Sequence, residues 1–335
     1  DFSWEKLDIY PYHQFFRIRA AECHLQVEFS SYEDDKFFEK TVSHKKYSAI
    51  FIDEVQDYTT EWLRIVMQNF LIDPNGELVV FGDPKQNVYH RPLDKNGDIR
   101  LGVIGGVWNR QLTTSRRFTN PRLANLAMAF QKQFMSSQHA DEIAIDNVKE
   151  TSLNFQILNY IDMRSNCSLD ALVENITNII SNDNNATRDF VVLASTTKLL
   201  RNIDFRYRQL TQKQTEITFV STEVLDRLKK IHNVIDEGTA NWKFHRDFEA
   251  LERTRKRLFT TDKRCLKIST IQSFKGWDLP SVIVVLENDF ISKETNFDPM
   301  SPQAVYTAIT RARENMYIIN IGNNSYHDFF YNQSL

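Results

Sequence analysis

Short, continuous apolar runs recur along the chain, and each ends at polar or small residues. Runs of this length that are rich in Val and Ile and lack alternation are typical of strands buried on both faces of a sheet. The pattern therefore predicts buried strands over residues 48–53, 77–83, 190–195, 217–220, 265–270, 281–286 and 316–321.

Helical periods lie between these runs. Apolar and amide side chains at positions 62, 65, 66, 69 and 70 follow the spacing of one helix face, and Ser168 is a candidate cap before a second helical period. The pairs Asn120–Pro121 and Ser301–Pro302 are each typical of a cap followed by proline at the first helical position. Strands that alternate with helices predict an α/β fold with parallel sheets.

The length of 335 residues is enough for two domains. A polar stretch over 94–98 and a glycine-containing segment over 102–106 are typical of a domain crossing. We place the first domain at residues 1–108 and the second at 109–335, with a short insertion in the second near 232–264.

Composition and hydropathy exclude a membrane protein and a collagen-like protein. Hydrophobic residues make up 41% and charged residues 25%, which are ordinary globular values. No apolar run approaches the length of a membrane helix, and no signal-peptide pattern opens the chain. The three cysteines lie far apart, so we expect neither a zinc site nor a disulfide framework, and we expect a cytoplasmic setting. The net charge of -3 excludes a uniformly basic coat but not a local nucleic-acid groove.

The first segment with candidate chemistry is SAIFIDEVQD, residues 48–57. An apolar strand runs directly into two carboxylates, Asp53 and Glu54, and the carboxyl ends of strands are where α/β sheets bind ligands. One carboxylate there suits Mg²⁺ beside substrate phosphates, and its neighbour suits the activation of an attacking water. The simpler alternative is a solvated acidic turn.

A second apolar strand ends in the segment LVVFGDPKQNVY, residues 78–89. The Gln86 amide is able to contact a phosphate oxygen, and Tyr89 offers a stacking face for a base. Taken alone, Gly-Asp-Pro is only a turn. Its position about 30 residues after the carboxylate pair makes the combination more specific.

Three further segments complete a series: LTTSRRFT at 112–119, LKISTIQSFKGWD at 266–278 and YTAITRARE at 306–314. In order and content, the five segments resemble motifs II to VI of superfamily-1 helicases of the UvrD/Rep type. The resemblance covers about residues 48–320. It implies an α/β fold of tandem RecA-like parallel-sheet motor domains, of which the first is incomplete.

The resemblance also implies an ATP-dependent single-stranded DNA translocase or helicase with 3′→5′ movement. Asp53 would hold Mg²⁺, and Glu54 would activate the attacking water. Gln86 would contact the γ-phosphate of ATP, and Arg117 and Arg311 would reach it from the second domain. Guanidinium groups suit this role because their fixed fork matches phosphate oxygens.

Three more residues are implied as nucleotide contacts. Asp278 stands where the family usually has Glu and would meet the nucleotide sugar or a bridging group with a shorter reach. Gly276, two residues before Asp278, is the second implied nucleotide contact. The alternative is that Lys275 and Gly276 only form a turn. Arg116 stands where the family often has a Tyr that stacks on adenine, and both a stacked and a solvated Arg116 remain open.

The path of single-stranded nucleic acid is implied by the same motifs. DNA is the expected strand, with RNA as an open alternative, and a nuclease or a defence-system subunit is a candidate protein partner. The residues that would line the path are Tyr89, His90, Thr270, Gln272 and Ser273.

One expected feature is missing from the sequence. No GxxxxGK[ST] segment occurs, and the chain has only nine glycines. In the resembled family the phosphate loop lies farther upstream of the Asp-Glu pair than this chain extends, so we expect this chain alone to hydrolyse ATP poorly. The aromatic-rich residues 2–16 are expected to need burial against other chain. A non-catalytic module that binds nucleic acid or protein is the alternative to the motor.

The insertion contains a basic segment with interleaved aromatics. Residues 242–267 hold nine Lys or Arg against four acidic residues, with Trp242, Phe244 and Phe248 among them. Two interpretations are open: a lip that binds a nucleic-acid strand, and a charged helix that packs its aromatics inward.

Overall fold

A computed structural model gives the fold, and the chain divides into two compact units, Asp1–Asn109 and Arg110–Leu335. The structure describes residues 7–28, 30–39, 41, 45–72, 76–94, 99–102, 118, 121–135, 158–288, 298 and 300–333. Of residues 114–115 and 144–145 it describes the backbone alone. No helix in these ranges is long and apolar enough to span a lipid bilayer.

In the first unit, two parallel strands lie beside helices that bury aromatic side chains. Helix α1 is Tyr12–Glu22, strand β1 is Ala49–Ile52, helix α2 is Thr60–Ile65 and strand β2 is Glu77–Val80. Helix α2 continues as a π-helical turn over Val66–Phe70, so the predicted helical period is realised in two geometries. Ala49 pairs with Glu77 and Ile52 with Val80, so both strands end at the same edge.

The aromatic opening of the chain is buried within this unit. Tyr12 stacks on Trp62 with ring centroids 4.4 Å apart, and Phe16 is fully buried against Phe38. The predicted burial of this aromatic segment is therefore provided by the core of the first unit for Tyr12 and Phe16. Tyr10 remains 37% exposed. Phe2 and Trp4 lie outside the described residues.

The second unit is built on a six-stranded sheet in which every pairing is parallel, as the sequence predicts. The spatial order is β5-β10-β9-β6-β8-β7. Strands β6, β8, β9 and β10 are almost wholly buried, because helices cover both faces of their Val- and Ile-rich runs. The strands are β5 Leu158–Asp162, β6 Phe190–Ala194, β7 Thr215–Ile217, β8 Leu266–Thr270, β9 Leu279–Leu286 and β10 Ala312–Asn320. A separate pair, β3 Thr114–Ser115 and β4 Ala144–Ile145, is also parallel.

Helices form two cores on either side of this sheet, one around Phe130 and Met316 and the other around Ile176 and Ile268. Ser168 caps its helix as predicted, since its Oγ accepts the Ala171 N–H at 3.1 Å. The helices are α3 Pro121–Phe134, α4 Leu169–Asn182, α5 Thr197–Thr211, α6 Thr222–His232, α7 Trp242–Leu258, α8 Pro302–Ile309 and α9 His327–Gln333.

Two edge strands differ from the prediction. Strand β7 covers Thr215–Ile217 rather than 217–220, and β5 was not predicted. Both lie at the edges of the sheet, where one side of the strand has no neighbour and polar side chains are tolerated. Their sequences therefore lack the continuous apolar run by which the central strands are recognised.

Candidate functional site

The carboxyl ends of β1 and β2 bring the first two motifs together. Phe81 donates its N–H to Ile52 O at 2.8 Å, and Val55 donates to Phe81 O at 2.9 Å, so both chains leave the sheet side by side. Asp53 is exposed and Glu54 is half-buried at this edge. Glu54 has φ 52° and ψ 43°, a left-handed conformation uncommon for a non-glycine residue. The Asp53 carboxylate accepts the Glu54 N–H at 2.9 Å and fixes this turn.

Gln56 links the two motifs through its side-chain amide. Its Nε2 donates to Glu54 Oε2, and its Oε1 accepts the Asp83 N–H at 3.1 Å. The side chain is 1% exposed, so its position is fixed by packing. A Cβ at Gly82 would lie 2.8 Å from Gln56 Oε1, which explains why glycine stands there. Motif spacing alone did not reveal this link, although Gln56 stands in the quoted segment.

Gln86 belongs to the same cluster. Asp83 precedes a 3₁₀ turn over Pro84–Gln86, and its Oδ1 accepts the Lys85 N–H at 3.0 Å. Its Oδ2 accepts from Gln86 Nε2 at 2.9 Å. Glu54, Gln56, Asp83 and Gln86 thus form a continuous hydrogen-bonded series at one end of two parallel strands. Here the structure places two acidic groups and an amide donor within one small region.

Acidic charge in this region acts on a neighbouring tyrosine. Burial, with further contributions from Asp57 and Asp53, raises the pKa of Tyr58 to about 12. Tyr58 therefore stays neutral at physiological pH and adds no charge of its own. The acidic character of the turn comes from its carboxylates, which favours the approach of cations.

Tyr89 and His90 follow on an exposed turn. Asn87 holds the turn closed, since its Nδ2 donates to Arg91 O at 2.8 Å and its Oδ1 accepts the Arg91 N–H at 2.9 Å. Tyr89 is 53% exposed, and His90 is exposed with φ 51°. An aromatic ring presented in this way offers a surface for stacking.

Arg116 and Arg117 lie outside the described residues, so their roles stay predictions.

In the second unit, the segments LKISTIQSFKGWD and YTAITRARE meet at the end of the sheet where β9 and β10 begin. Leu279 donates its N–H to Arg311 O at 3.1 Å. Arg313 Nε lies 3.7 Å from Asp278 Oδ1. Gly276 has φ 88°, which glycine adopts without strain, and it forms the turn that leads to Asp278. The structure therefore brings Gly276, Asp278 and Arg311 into one neighbourhood.

An open pocket of about 520 Å³ lies at this edge. Trp277 is 39% exposed and packs edge-on against Phe259 at 6.0 Å between ring centroids. Two arginines and three aspartates share the pocket, so its charge is mixed rather than strongly basic. Its lining residues are Arg188, Asp189, Thr261, Asp262, Gly276, Trp277, Asp278, Leu279 and Arg313. Trp277 and Arg188 were not singled out by the motifs.

Arg311 is one of the largest fully buried side chains among the described residues, at 1% exposure. Its Nε donates to Thr307 O at 3.0 Å, Nη2 donates to Thr310 Oγ1 at 2.8 Å and Nη1 donates to Trp277 O at 3.4 Å. The guanidinium thus braces the Gly276–Asp278 turn from beneath. In this conformation it is held by the protein's own oxygens.

Thr270, Gln272 and Ser273 lie at the other end of the strands of this sheet, where β8 finishes. Thr270 ends β8, and its Oγ1 accepts the Ser273 N–H at 3.2 Å. All three side chains are half-buried. The predicted strand contacts of this unit are therefore separated from Asp278 by the length of the sheet.

Asp53 offers a single carboxylate to the predicted magnesium ion. The described residues contain no group of three or more His, Cys, Asp or Glu side chains able to hold a metal. Mg²⁺ beside a nucleotide needs only one or two carboxylates, with phosphates and waters as the other ligands. The exposed Asp53 carboxylate fits that role and does not fit a site made of protein ligands alone.

No family model matches the chain, and no curated protein matches it. Among solved structures, the chain is similar to the C-terminal domain of a possible DNA helicase from Lactobacillus plantarum WCFS1, at 11% identity and a TM-score of 0.33. The match covers 62% of this chain and 89% of that one. A likeness this weak does not show which family the chain belongs to.

Proposed function

We propose that this chain is part of an ATP-driven translocase or helicase that acts on single-stranded DNA with 3′→5′ movement. The observation that carries the proposal is the hydrogen-bonded series from Glu54 through Gln56 and Asp83 to Gln86. It sets a candidate base, its positioning amide and a candidate phosphate contact at the carboxyl ends of adjacent parallel strands, where α/β sheets bind ligands.

In this proposal the residues of the first unit perform the hydrolysis. Glu54 accepts a proton from the attacking water at a carboxylate oxygen, and Gln56 holds that carboxylate in place. Gln86 contacts the γ-phosphate through its amide. Asp53 holds Mg²⁺, which supplies neutralisation of phosphate charge when bound.

The residues of the second unit contact the nucleotide and the strand. Asp278 would meet the nucleotide sugar or a bridging group, and Arg117 and Arg311 would contact the γ-phosphate. Arg116 would either stack on the base or stay solvated. Stacking and hydrogen bonding along the strand come from both units, at Tyr89, His90, Thr270, Gln272 and Ser273.

The proposed motor also needs a phosphate cradle, and these 335 residues contain no GxxxxGK[ST] segment that would supply it. A cradle of backbone N–H groups and a lysine binds the β- and γ-phosphates in such motors. Activity is therefore to be measured on the intact native gene product.

A second candidate function is a non-catalytic module that keeps the fold and binds nucleic acid or a protein. The observation that favours it is the buried Arg311, whose guanidinium bonds to Thr307, Thr310 and Trp277. For the motor, that guanidinium has to exchange protein oxygens for phosphate oxygens.

The test is steady-state ATPase activity of the native product with and without single-stranded DNA. We expect Glu54→Gln to lower kcat by about 10²- to 10⁴-fold, the contribution of a positioned base, and to leave nucleotide binding in place. Glu77→Gln, at the exposed opposite end of β2, is the matched control and should not change kcat. Normal turnover in Glu54→Gln contradicts its role. A wild-type product that binds strands and never hydrolyses ATP supports the module instead.

A further inference from the structure

Helix α7 has two chemically different faces. One packs inward: Phe244 is fully buried in the cluster of α6 and α7, and Phe248 and Leu251 pack against it. Asn241 caps the helix by accepting the N–H groups of Lys243 and Phe244 at 3.1 and 3.2 Å. The orientation of the helix is therefore fixed, and so is the face turned to solvent.

The outer face carries a tryptophan followed by cations. Trp242 is 66% exposed, and the Arg246 guanidinium lies 5.2 Å from its ring centroid. Arg253 lies on the same face by helical spacing, and one acidic residue, Glu249, interrupts the row. We call this face the basic stripe; it consists of Trp242, Arg246, Arg253, Lys256 and Arg257.

The stripe departs from the charge of the rest of the chain. The whole chain has a net charge of -3, whereas α7 has six Lys or Arg against three acidic residues. Glu252 is engaged away from the stripe, 3.8 Å from Arg201. The other two acids contact stripe members: Arg246 Nη2 lies 2.9 Å from Asp247, which also lies 3.1 Å from His232, and Arg253 Nη2 lies 4.0 Å from Glu249. Cations in a last turn also stabilise the helix dipole. That explanation covers Lys256 and Arg257, and the ion pair with Asp247 accounts for Arg246, but neither accounts for the exposed Trp242.

We propose that the basic stripe is a binding site for single-stranded nucleic acid, with a base stacked on Trp242 and phosphates along the cations. A row of cations with an aromatic platform is the combination by which proteins bind single strands without sequence preference. The helix has 17 residues, so its length is about 26 Å, which about seven phosphates cover at the spacing of a stacked strand. This contact goes beyond the proposed motor activity, because it needs no nucleotide and lies outside the five motifs.

The first test is binding of fluorescent dT20 and rU20 to the chain without ATP, over a series of salt concentrations. Trp242→Ala should weaken binding by about 5- to 150-fold, the range for loss of one stacked base. It should leave the salt dependence unchanged, because no charge is removed. Trp242→Phe keeps a stacking ring and should stay close to wild type. Circular dichroism confirms that α7 is intact in both variants.

The second test removes charge. Lys256→Gln with Arg257→Gln should lower the slope of log Kd against log salt by about 1.4, because each phosphate contact to a single strand contributes about 0.7. The matched control is Arg206→Gln with Lys213→Gln, which removes the same charge at α5 and the turn after it. The control pair should leave the slope as in wild type.

Three results overturn the proposal. In the first, Trp242→Ala binds both strands like wild type. In the second, the two charge pairs lower the slope equally, which indicates unspecific attraction. In the third, polyglutamate binds as tightly as dT20 and is weakened as much by Trp242→Ala, which indicates an acidic protein segment as the occupant. Equal affinity for dT20 and rU20 indicates that the basic stripe binds the chemistry that single-stranded DNA and RNA share. A preference for one of them identifies which nucleic acid the stripe binds. Glu54→Gln should bind like wild type, so a failed motor and a failed stripe give different results.

Discussion

Gln56 offers the sharpest test of the candidate site, because it acts on chemistry only through another residue. Its amide holds Glu54 Oε2 and accepts the Asp83 N–H. Gln56→Leu removes both hydrogen bonds in a side chain of similar size. Gln56→Glu keeps the shape and sets a second carboxylate against Glu54.

The expected magnitude follows from the bond to Glu54. A hydrogen bond to a charged group contributes about 1.5 to 3 kcal/mol. If that energy serves to orient the base in the transition state, its loss lowers kcat by about 10- to 150-fold. Gln56→Glu should fall at least as far, because repulsion adds to the lost donor. KM for ATP should change little, because Gln56 is buried and remote from solvent.

The assay is strand-stimulated ATPase turnover of the native product, with kcat and KM separated. Gln14→Leu and Gln14→Glu, on the exposed side of α1, are matched controls in the same unit. Tryptophan fluorescence and urea unfolding show whether each variant is folded. Wild-type kcat in folded Gln56→Glu refutes the positioning role. A change confined to KM refutes it as well, because it indicates a binding contact.

Two further predictions concern stability. The Tyr317 hydroxyl donates to Asp183 Oδ2 at 2.7 Å, so Tyr317→Phe should lower the free energy of unfolding by about 1.5 to 3 kcal/mol; urea denaturation measures this, and an unchanged midpoint contradicts it. Hydrogen bonds from Lys45 and Tyr47 hold the pKa of Asp8 below its usual 3.8. The folded state therefore binds this proton less tightly than the unfolded state, and the stabilisation is present above pH 3.8 and is lost as pH falls through the lower folded value. Asp8→Asn should be less stable than wild type at pH 6, with the difference shrinking in urea titrations toward pH 3; a constant difference contradicts the linkage.

The central strands were predictable because a strand buried on both faces has a continuous apolar run in its sequence. Strand β6 is FVVLA, and all five residues are buried. The same logic placed Asp53 and Glu54 at the end of β1, since an apolar run that stops at carboxylates marks the carboxyl end of a strand. Edge strand β5 has no such run, because none of the five residues of its LNYID sequence is buried.

The directions in which individual side chains point could not be predicted from the sequence. Nothing in the segment YTAITRARE shows that Arg311 turns inward to Thr307 O while Arg313 faces Asp278. That outcome depends on where α8 ends and β10 begins, at Ile309 and Ala312. Helix and strand ends vary by one or two residues for a given pattern, and one residue changes the direction of a side chain.

The aromatic residues of the insertion were predicted correctly in part. Phe244 and Phe248 pack inward, as the charged-helix interpretation predicts, whereas Trp242 does not. A helical period of 3.6 separates position 242 from 244 and 248 by direction, so the split is consistent with spacing once α7 begins at Trp242. The start itself depends on the Asn241 cap.

The crossover between β8 and β9 is short for the distance it spans. Thr270 ends β8 and Leu279 begins β9, so eight residues return across the sheet, a distance of about 20 Å. Ile271 and Phe274 are fully buried and anchor this segment in the core. The connection is folded into turns, since Phe274 donates its N–H to Thr270 O and Trp277 donates its N–H to Phe274 O, each at 3.0 Å. We therefore expect a displacement imposed at Thr270 to be transmitted to Asp278 rather than absorbed within the connection.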